Sequence, residues 1–324
     1  MSSFKFDTEF YGVMKAQLEG PTPPQPQDAY RVRETSTVFL KAIAKAFPAV
    51  EGIEEQVFST TSYDGVVVKV TRFASQSAIE SKTPLPAVLW IHGGGMVSGT
   101  VTIYARITAY LAEQLGYPVF AVEYRYTPEY SAKESLEDCY AALAWLSKNA
   151  KEVNVDAAKL SVMGDSAGGL MSASTALNAR DRKLNPPLAK QVLIYPTLDD
   201  RTPSTDNDPR KDLLLWTERS TVIVWDAYLA RGQYEKKDVE IPQNAIPARV
   251  EDLSGLPLTY VDCGTVDLFL EENLTYVKRL IKAGVDVELH VQPGLPHGWE
   301  LAGTSIGWFK AALETRINFI KRDF

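Results

Sequence analysis

The chain has 324 residues, 45% hydrophobic and 23% charged, a balance that excludes disorder, collagen and coiled coil as readings of the whole chain. Thirty-four Lys and Arg against 41 Asp and Glu leave a formal charge of −7, which argues against a partner recognised through its phosphates, so nucleic acid is not expected. Two cysteines, Cys139 and Cys263, are too few and too far apart for a disulfide framework or zinc ribbon and are expected as reduced, buried thiols.

The N-terminus carries Lys5, Asp7 and Glu9 where a signal peptide needs an apolar segment, and no run of about 18 apolar residues follows. A cytoplasmic protein with no membrane span is expected. Residues 1–55 combine a proline cluster (Pro21, Pro23, Pro24, Pro26) with a helix over Arg31 to Phe47, where Val32, Phe39, Leu40, Ile43 and Phe47 recur at helical spacing. From Gln56 the pattern turns strand-like, with VFSTTS and VVVKVTRF joined at Tyr63-Asp64-Gly65 as a hairpin.

Apolar runs then alternate with helical patterns: AVLWI (87–91), a helix near 102–115, PVFAVEY (118–124), a helix near 132–149, KLSVMG (159–164) and a helix after Ser166. Such alternation predicts βαβ crossovers and a mostly parallel sheet. QVLIYP (191–196), PLTYVDC (257–263) and VDVELHVQ (285–292) add three strands, and 305–321 closes the chain as a helix. The count predicts an α/β fold on an eight-stranded sheet.

Between Pro196 and Pro257 the strand rhythm stops. DLLLWTERSTVIVWDAYLARG (212–232) reads as one helix bearing Leu214, Leu215, Trp216, Val222, Val224, Trp225 and Tyr228. An insertion of this length after a strand suits a lid over a site, expected to pack on the N-terminal helix. The organisation expected is 1–55 as the first part of a helical cap, 56–200 as core, 201–250 as the cap insertion and 251–324 as the rest of the core. Trp216, Trp225 and Tyr228 are placed either to line the mouth of the site or to pack the cap's interior, the latter expected for at least half of them.

Gly164-Asp165-Ser166-Ala167-Gly168 lies between a predicted strand and helix, where a strained turn lifts a serine hydroxyl above the sheet and flanking glycines allow close backbone approach. His92-Gly93-Gly94-Gly95 ends another strand. Consecutive glycines let backbone N–H groups point into a cavity, so Gly94, Gly95 and Ala167 are candidate oxyanion donors, with Gly93 a weaker one that shapes the turn. His92 is expected to orient this loop.

A serine nucleophile needs a base, and only His92, His290 and His297 exist. His290 sits mid-strand and reads as structural; His297 follows Pro293-Gly294-Leu295-Pro296 in a loop at a strand end and is the candidate base. Asp262, Asp267, Glu271 and Glu272 compete as the acid. Asp267 falls in the loop after its strand and is preferred, Asp262 is still in the strand and is second, and Glu271 and Glu272 open the next helix.

With these motifs the chain resembles the hormone-sensitive lipase family of α/β-hydrolases. The resemblance rests on HGGG (92–95), GDSAG (164–168), Asp267 in GTVDLFLEEN and His297, 30 residues on, in PGLPHGW. Softer matches are Glu123-Tyr124-Arg125 with Pro128-Glu129, Tyr195-Pro196 before Asp199-Asp200, and DLSGLP (252–257). It implies a helical cap, a Ser166-His297-Asp267 triad cleaving carboxylic esters of short to medium acyl chains through an acyl-enzyme, and no cofactor or metal. It also implies a candidate homodimer contact through the last strand and last helix. Many relatives have Asp-Pro-Leu at the acid, where this chain has Asp267-Leu268-Phe269. Two alternatives remain open: the same triad acting on an amide, formamide or lactone, and a non-catalytic small-molecule receptor such as the plant gibberellin receptors, whose triad is incomplete.

Overall fold

In the computed structural model, which describes residues 4–21, 24–201, 204–237 and 239–322, helices α1 (Thr8–Leu18) and α2 (Ala29–Ala46) precede a hairpin of β1 (Ile53–Thr61) and β2 (Val67–Ser75). Pro23 of the proline cluster lies outside the described residues. The chain continues through α3 (Gln76–Ile79), β3 (Leu85–Ile91), α4 (Val101–Leu115), β4 (Val119–Glu123), α5 (Ala132–Lys148), β5 (Val155–Asp165), α6 (Ala167–Asp181) and β6 (Lys190–Ile194). After a long excursion containing α7 (Glu218–Tyr228) come β7 (Leu258–Val266), α8 (Leu270–Lys282), β8 (Val287–Pro296), a 3-10 segment (Trp299–Ser305) and α9 (Gly307–Lys321).

The strands form one eight-stranded sheet in the order β1-β2-β4-β3-β5-β6-β7-β8. β1 and β2 pair antiparallel, as do β2 and β4, and the remaining pairs are parallel. The chain therefore runs outward from β3 to β4, then returns across β3 to β5 and proceeds the other way. Strand order reverses at β3 and β5, and in open α/β sheets a crevice opens at the carboxyl ends of such strands. β3 and β5 end at Ile91 and Asp165, the residues immediately before HGGG and Ser166.

Sequence periodicity explains most elements. The buried faces of α2 (Val32, Leu40, Ile43) and α5 (Leu136, Cys139, Leu143, Leu146) follow helical spacing, and β6 is buried at every position, as expected inside a parallel sheet. Both cysteines are free and buried. Lys190, fully buried in β6, donates through Nζ to the carbonyls of Phe319 (2.7 Å), Ile320 (3.1 Å) and Arg322 (2.7 Å). It thereby satisfies the orphaned C-terminal carbonyls of α9.

Three elements differ from expectation. Helix α1 was not read from the sequence; it is started by Asp7, whose Oδ1 accepts from Glu9 N–H (2.9 Å) and Phe10 N–H (3.0 Å), and it buries Phe10 and Met14. The insertion is not one helix over 212–232: α7 starts only at Glu218, because Thr217 takes extended angles and caps it by accepting from Ser220 N–H (3.2 Å). Residues Leu214, Leu215 and Trp216 thus precede the helix rather than forming its face. Third, Pro293-Gly294-Leu295-Pro296 belongs to β8 rather than a loop, so His297 follows the strand directly.

The insertion does pack on the N-terminal segment. Ala29 N–H donates to Tyr234 Oη at 2.5 Å, Arg219 Nε to the Pro26 carbonyl at 3.3 Å, and Ala29 and Val32 share a core with Ile223, Val224 and Trp225. No described helix is long and apolar enough to cross a membrane.

Candidate active site

Ser166 sits between β5 and α6 with φ 55° and ψ −117°, a conformation that costs a non-glycine residue of order 1–3 kcal/mol and persists only where the surroundings impose it. The surroundings are backbone. A Cβ on Gly168 would stand 2.7 Å from the His92 carbonyl carbon and 2.9 Å from Gly93 N, besides colliding with the Ile91 carbonyl. A Cβ on Gly164 would also collide with the Ile91 carbonyl. The glycines let the serine turn and the HGGG loop touch, and Ser166 N–H is anchored on the Ile194 carbonyl (2.8 Å).

Ser166 Oγ stands 2.8 Å from His297 Nε2, and His297 Nδ1 stands 2.8 Å from Asp267 Oδ2. A carboxylate only accepts, so Nδ1 carries the proton and Nε2 presents its lone pair to the serine hydroxyl. Asp267 is fully buried; its Oδ1 accepts from Phe269 N–H (2.9 Å) and its backbone carbonyl from Arg210 Nη1 (3.1 Å). The ends of β7 and β8 meet because Gly264 lacks a side chain: a Cβ there would lie 2.6 Å from the Leu295 carbonyl carbon. The ladder slips register just after it, between Gly264 and Val266, and Asp267 follows.

The His297 ring is boxed by aromatic edges, Tyr195 at 4.8 Å and Phe269 at 5.0 Å between centroids, with Trp216 at 6.1 Å. Phe269 belongs to the Asp-Leu-Phe departure from the commoner family pattern, so the departing residue both packs against His297 and donates its N–H to Asp267.

Among the described residues, no protein acceptor takes the N–H groups of Gly94, Gly95 or Ala167. Gly94 (φ 123°), Gly95 (φ 64°) and Met96 (φ 61°) carry the loop through angles open chiefly to glycine. Gly93 differs from its neighbours, since its N–H donates to Asp165 Oδ1 (3.0 Å) and is thereby spent. Asp165 Oδ2 also accepts from Tyr104 Oη (2.8 Å), so this residue of the serine motif ties down the HGGG loop, a role the sequence pattern did not disclose. Burial pushes the Asp165 carboxyl up to about 6.

His92 is buried against Tyr124, with centroids 4.4 Å apart, and its Nδ1 donates to the Gly93 carbonyl (2.9 Å). Burial lowers its pKa to about 4, so it is neutral at pH 7. Tyr124 Oη donates to the His92 carbonyl (2.9 Å). From α2, Arg33 donates to the Val97 (2.5 Å) and Thr127 (2.7 Å) carbonyls and pairs with Glu129.

The other candidates are occupied elsewhere. Asp262 is gripped by Arg316, with Nε to Oδ2 at 2.6 Å and Nη2 to Oδ1 at 3.1 Å, and accepts from Tyr260 Oη (3.0 Å). The third Arg316 contact is Glu300 Oε1 (2.9 Å), whose other oxygen accepts from Tyr195 Oη (2.8 Å). This buried network, invisible as a sequence motif, backs the Tyr195 ring that touches His297, and burial raises the Glu300 carboxyl. His290 bonds Glu288 (2.9 Å) on the edge strand. Glu271 is exposed, and Glu272 accepts from Leu198 N–H (2.6 Å). Of the aromatic residues of the insertion, Trp225 and Tyr228 are core and Trp216 alone reaches His297. No cluster of three or more His, Cys, Asp or Glu side chains suited to a metal ion occurs among the described residues.

Residues 88–301 match the α/β-hydrolase fold family. The chain belongs to that family. Its relatives include a carboxylesterase, NlhH, of Mycobacterium tuberculosis, 33% identical over 76% of this chain and 75% of its own. Among solved structures, a bacterial heroin esterase superposes with TM-score 0.83 at 32% identity over 98% of both chains, and an esterase of Pyrobaculum calidifontis with TM-score 0.82 at 25% identity over 98% of both. This α/β-hydrolase thus sits with the hormone-sensitive-lipase-like carboxylesterases, in agreement with its motifs.

Proposed function

We propose that this chain hydrolyses carboxylic esters through an acyl-enzyme on Ser166. The observation that carries this is the unbroken line from Ser166 Oγ through His297 to the buried Asp267, at 2.8 Å for each contact. His297 takes the serine proton as Oγ attacks the ester carbonyl, then gives it to the departing alcohol; water, deprotonated by the same imidazole, releases the acid. The N–H groups of Gly94, Gly95 and Ala167, the last at the N-terminus of α6, receive the oxyanion. Asp267 holds the tautomer and stabilises the imidazolium. Residues 1–55 and 201–250 are the two parts of the cap, meeting through Tyr234 and Arg219, and short to medium acyl chains are the substrate class.

The test is hydrolysis of p-nitrophenyl esters from acetate to palmitate by wild type and Ser166→Ala, with a serine-directed phosphonate located by mass spectrometry. Turnover lost in the variant, with the label on Ser166, supports the reading. Labelling without ester turnover directs attention to amides and lactones; neither label nor turnover overturns it in favour of a receptor.

A further inference from the structure

Building on that reading, we propose that Trp216 is the specificity-determining roof of the acyl site and that it restricts this enzyme to esters of small acids. Trp216 precedes the cap of α7 and leans back over the catalytic groups. A Cβ built on Gly95 would stand 2.8 Å from its Cη2 and 3.3 Å from its Cζ2, while its ring centroid lies 6.1 Å from that of His297. The indole therefore spans the gap between the oxyanion loop and the base. The carbonyl carbon attached to Ser166 Oγ must sit in that gap, with its oxygen toward Gly94 and Gly95 and its leaving group toward His297. The group left to point up toward the cap is the acyl chain, and the indole lies across its path.

The roof is fixed rather than loosely laid. Trp216 Nε1 donates to Thr221 Oγ1 at 2.8 Å, and that hydroxyl, one turn into α7 and buried, donates onward to the Thr217 carbonyl at 3.0 Å. Val224, one turn further, lies 3.6 Å from the same point above Gly95 and closes the flank. Swinging the indole away to admit a long chain would break its hydrogen bond and leave the buried Thr221 hydroxyl without its donor. Short acyl groups need no such movement. Because each methylene admitted to or excluded from an apolar pocket changes discrimination by about tenfold or more, one indole suffices to set a chain-length limit.

The experiment compares kcat/KM for p-nitrophenyl acetate, butyrate, octanoate and decanoate in wild type, Trp216→Ala, Trp216→Phe and Thr221→Val, alongside esters of acetic acid with methyl, benzyl and naphthyl alcohols. Wild type should favour acetate or butyrate. The octanoate-to-acetate ratio should rise by about tenfold or more in Trp216→Ala, less in Trp216→Phe, and measurably in Thr221→Val, which preserves side-chain shape but frees the indole. An unchanged ratio in all three overturns the proposal, and so does a response confined to the alcohol series, which would put Trp216 on the leaving-group side. Phosphonate labelling at Ser166 in each variant separates the outcomes: wild type that neither labels nor turns over defeats the hydrolase reading, whereas labelled, active variants with the wild-type chain-length profile defeat only the roof. If Trp216→Ala fails to fold, Thr221→Val and Trp216→Phe carry the same comparison.

Discussion

Two aspartates compete for the role of triad acid, and their isosteric amides should fail in opposite ways. In Asp267→Asn the side-chain oxygen still accepts from Phe269 N–H, now 2.9 Å from Asp267 Oδ1, while the amide nitrogen turns its hydrogens on His297 Nδ1. Nδ1 must then accept, the ring proton moves to Nε2, and Nε2 faces the serine hydroxyl with a hydrogen instead of a lone pair. The base is disabled without a hole being made: kcat should fall by about 10⁴, with a stability cost of about 1 kcal/mol for the altered hydrogen bonds. Asp262→Asn discharges one end of a buried pair whose side-chain exposures are 5% and 0%. Breaking such a pair costs about 3–5 kcal/mol, the lower end applying because Glu300 still holds Arg316 Nη1. With about 2.1 cal/mol/K of unfolding entropy per residue over this length, that is a Tm fall of roughly 4 °C, with kcat within a few-fold of wild type. Steady-state kinetics and thermal denaturation of both variants decide the matter. Asp267→Asn retaining a tenth of wild-type turnover, or Asp262→Asn losing turnover at an unchanged Tm, would refute the assignment.

Gly168→Ala should lower kcat by about 10²–10³, the loss expected when one oxyanion donor is displaced, because the three atoms nearest its Cβ are backbone of Ile91, His92 and Gly93; the rate of phosphonate labelling should fall in parallel, and a normal labelling rate would show that the loop yields. Asp165 supplies the pH prediction. Its folded pKa of about 6 lies above the ordinary 3.8, so the folded state holds the proton more tightly than the unfolded one and stability falls as pH rises from about 4 to 6, by about 3 kcal/mol in all. Asp165→Asn should remove that slope, seen as urea midpoints that vary less between pH 4 and 7 than those of wild type; parallel curves would count against it.

The legible part of this protein is what short-range pattern encodes. Gly164, Ser166 and Gly168 between a strand and a helix point to a strained serine turn, and only three histidines stand in competition for the base. The number of strands and the mostly parallel sheet follow from alternating periodicity, whereas the strand order does not. What stayed hidden depends on pairs far apart in sequence: Asp165 with Gly93, 72 residues away, Arg316 with Asp262, 54 away, and Arg210 with the Asp267 carbonyl, 57 away. No periodicity marks such pairs. In the insertion the apolar run Leu214-Leu215-Trp216 continues the helical spacing across Thr217-Glu218, and these two, an N-cap followed by an acidic first turn, mark the true start. Helix α1 carried the same kind of signal in Asp7-Thr8-Glu9, with Phe10 and Met14 four apart.

The two halves of the site are held by different means, and this bears on what can change. The Ser166 turn and the HGGG loop press backbone on backbone, through glycines where a Cβ would collide with the facing chain. The strand ends that carry Asp267 and His297 add a second backbone contact at Gly264. The insertion instead approaches the site through single side chains: Arg210 on the Asp267 carbonyl, Trp216 above Gly95, and Thr221 beneath the indole. Losing one such contact removes a hydrogen bond or an aromatic face and leaves the backbone where it was. Substitutions at 216, 221 and 224 should therefore redistribute activity among esters, while those at 164, 168 and 264 should lower it by orders of magnitude for all of them alike.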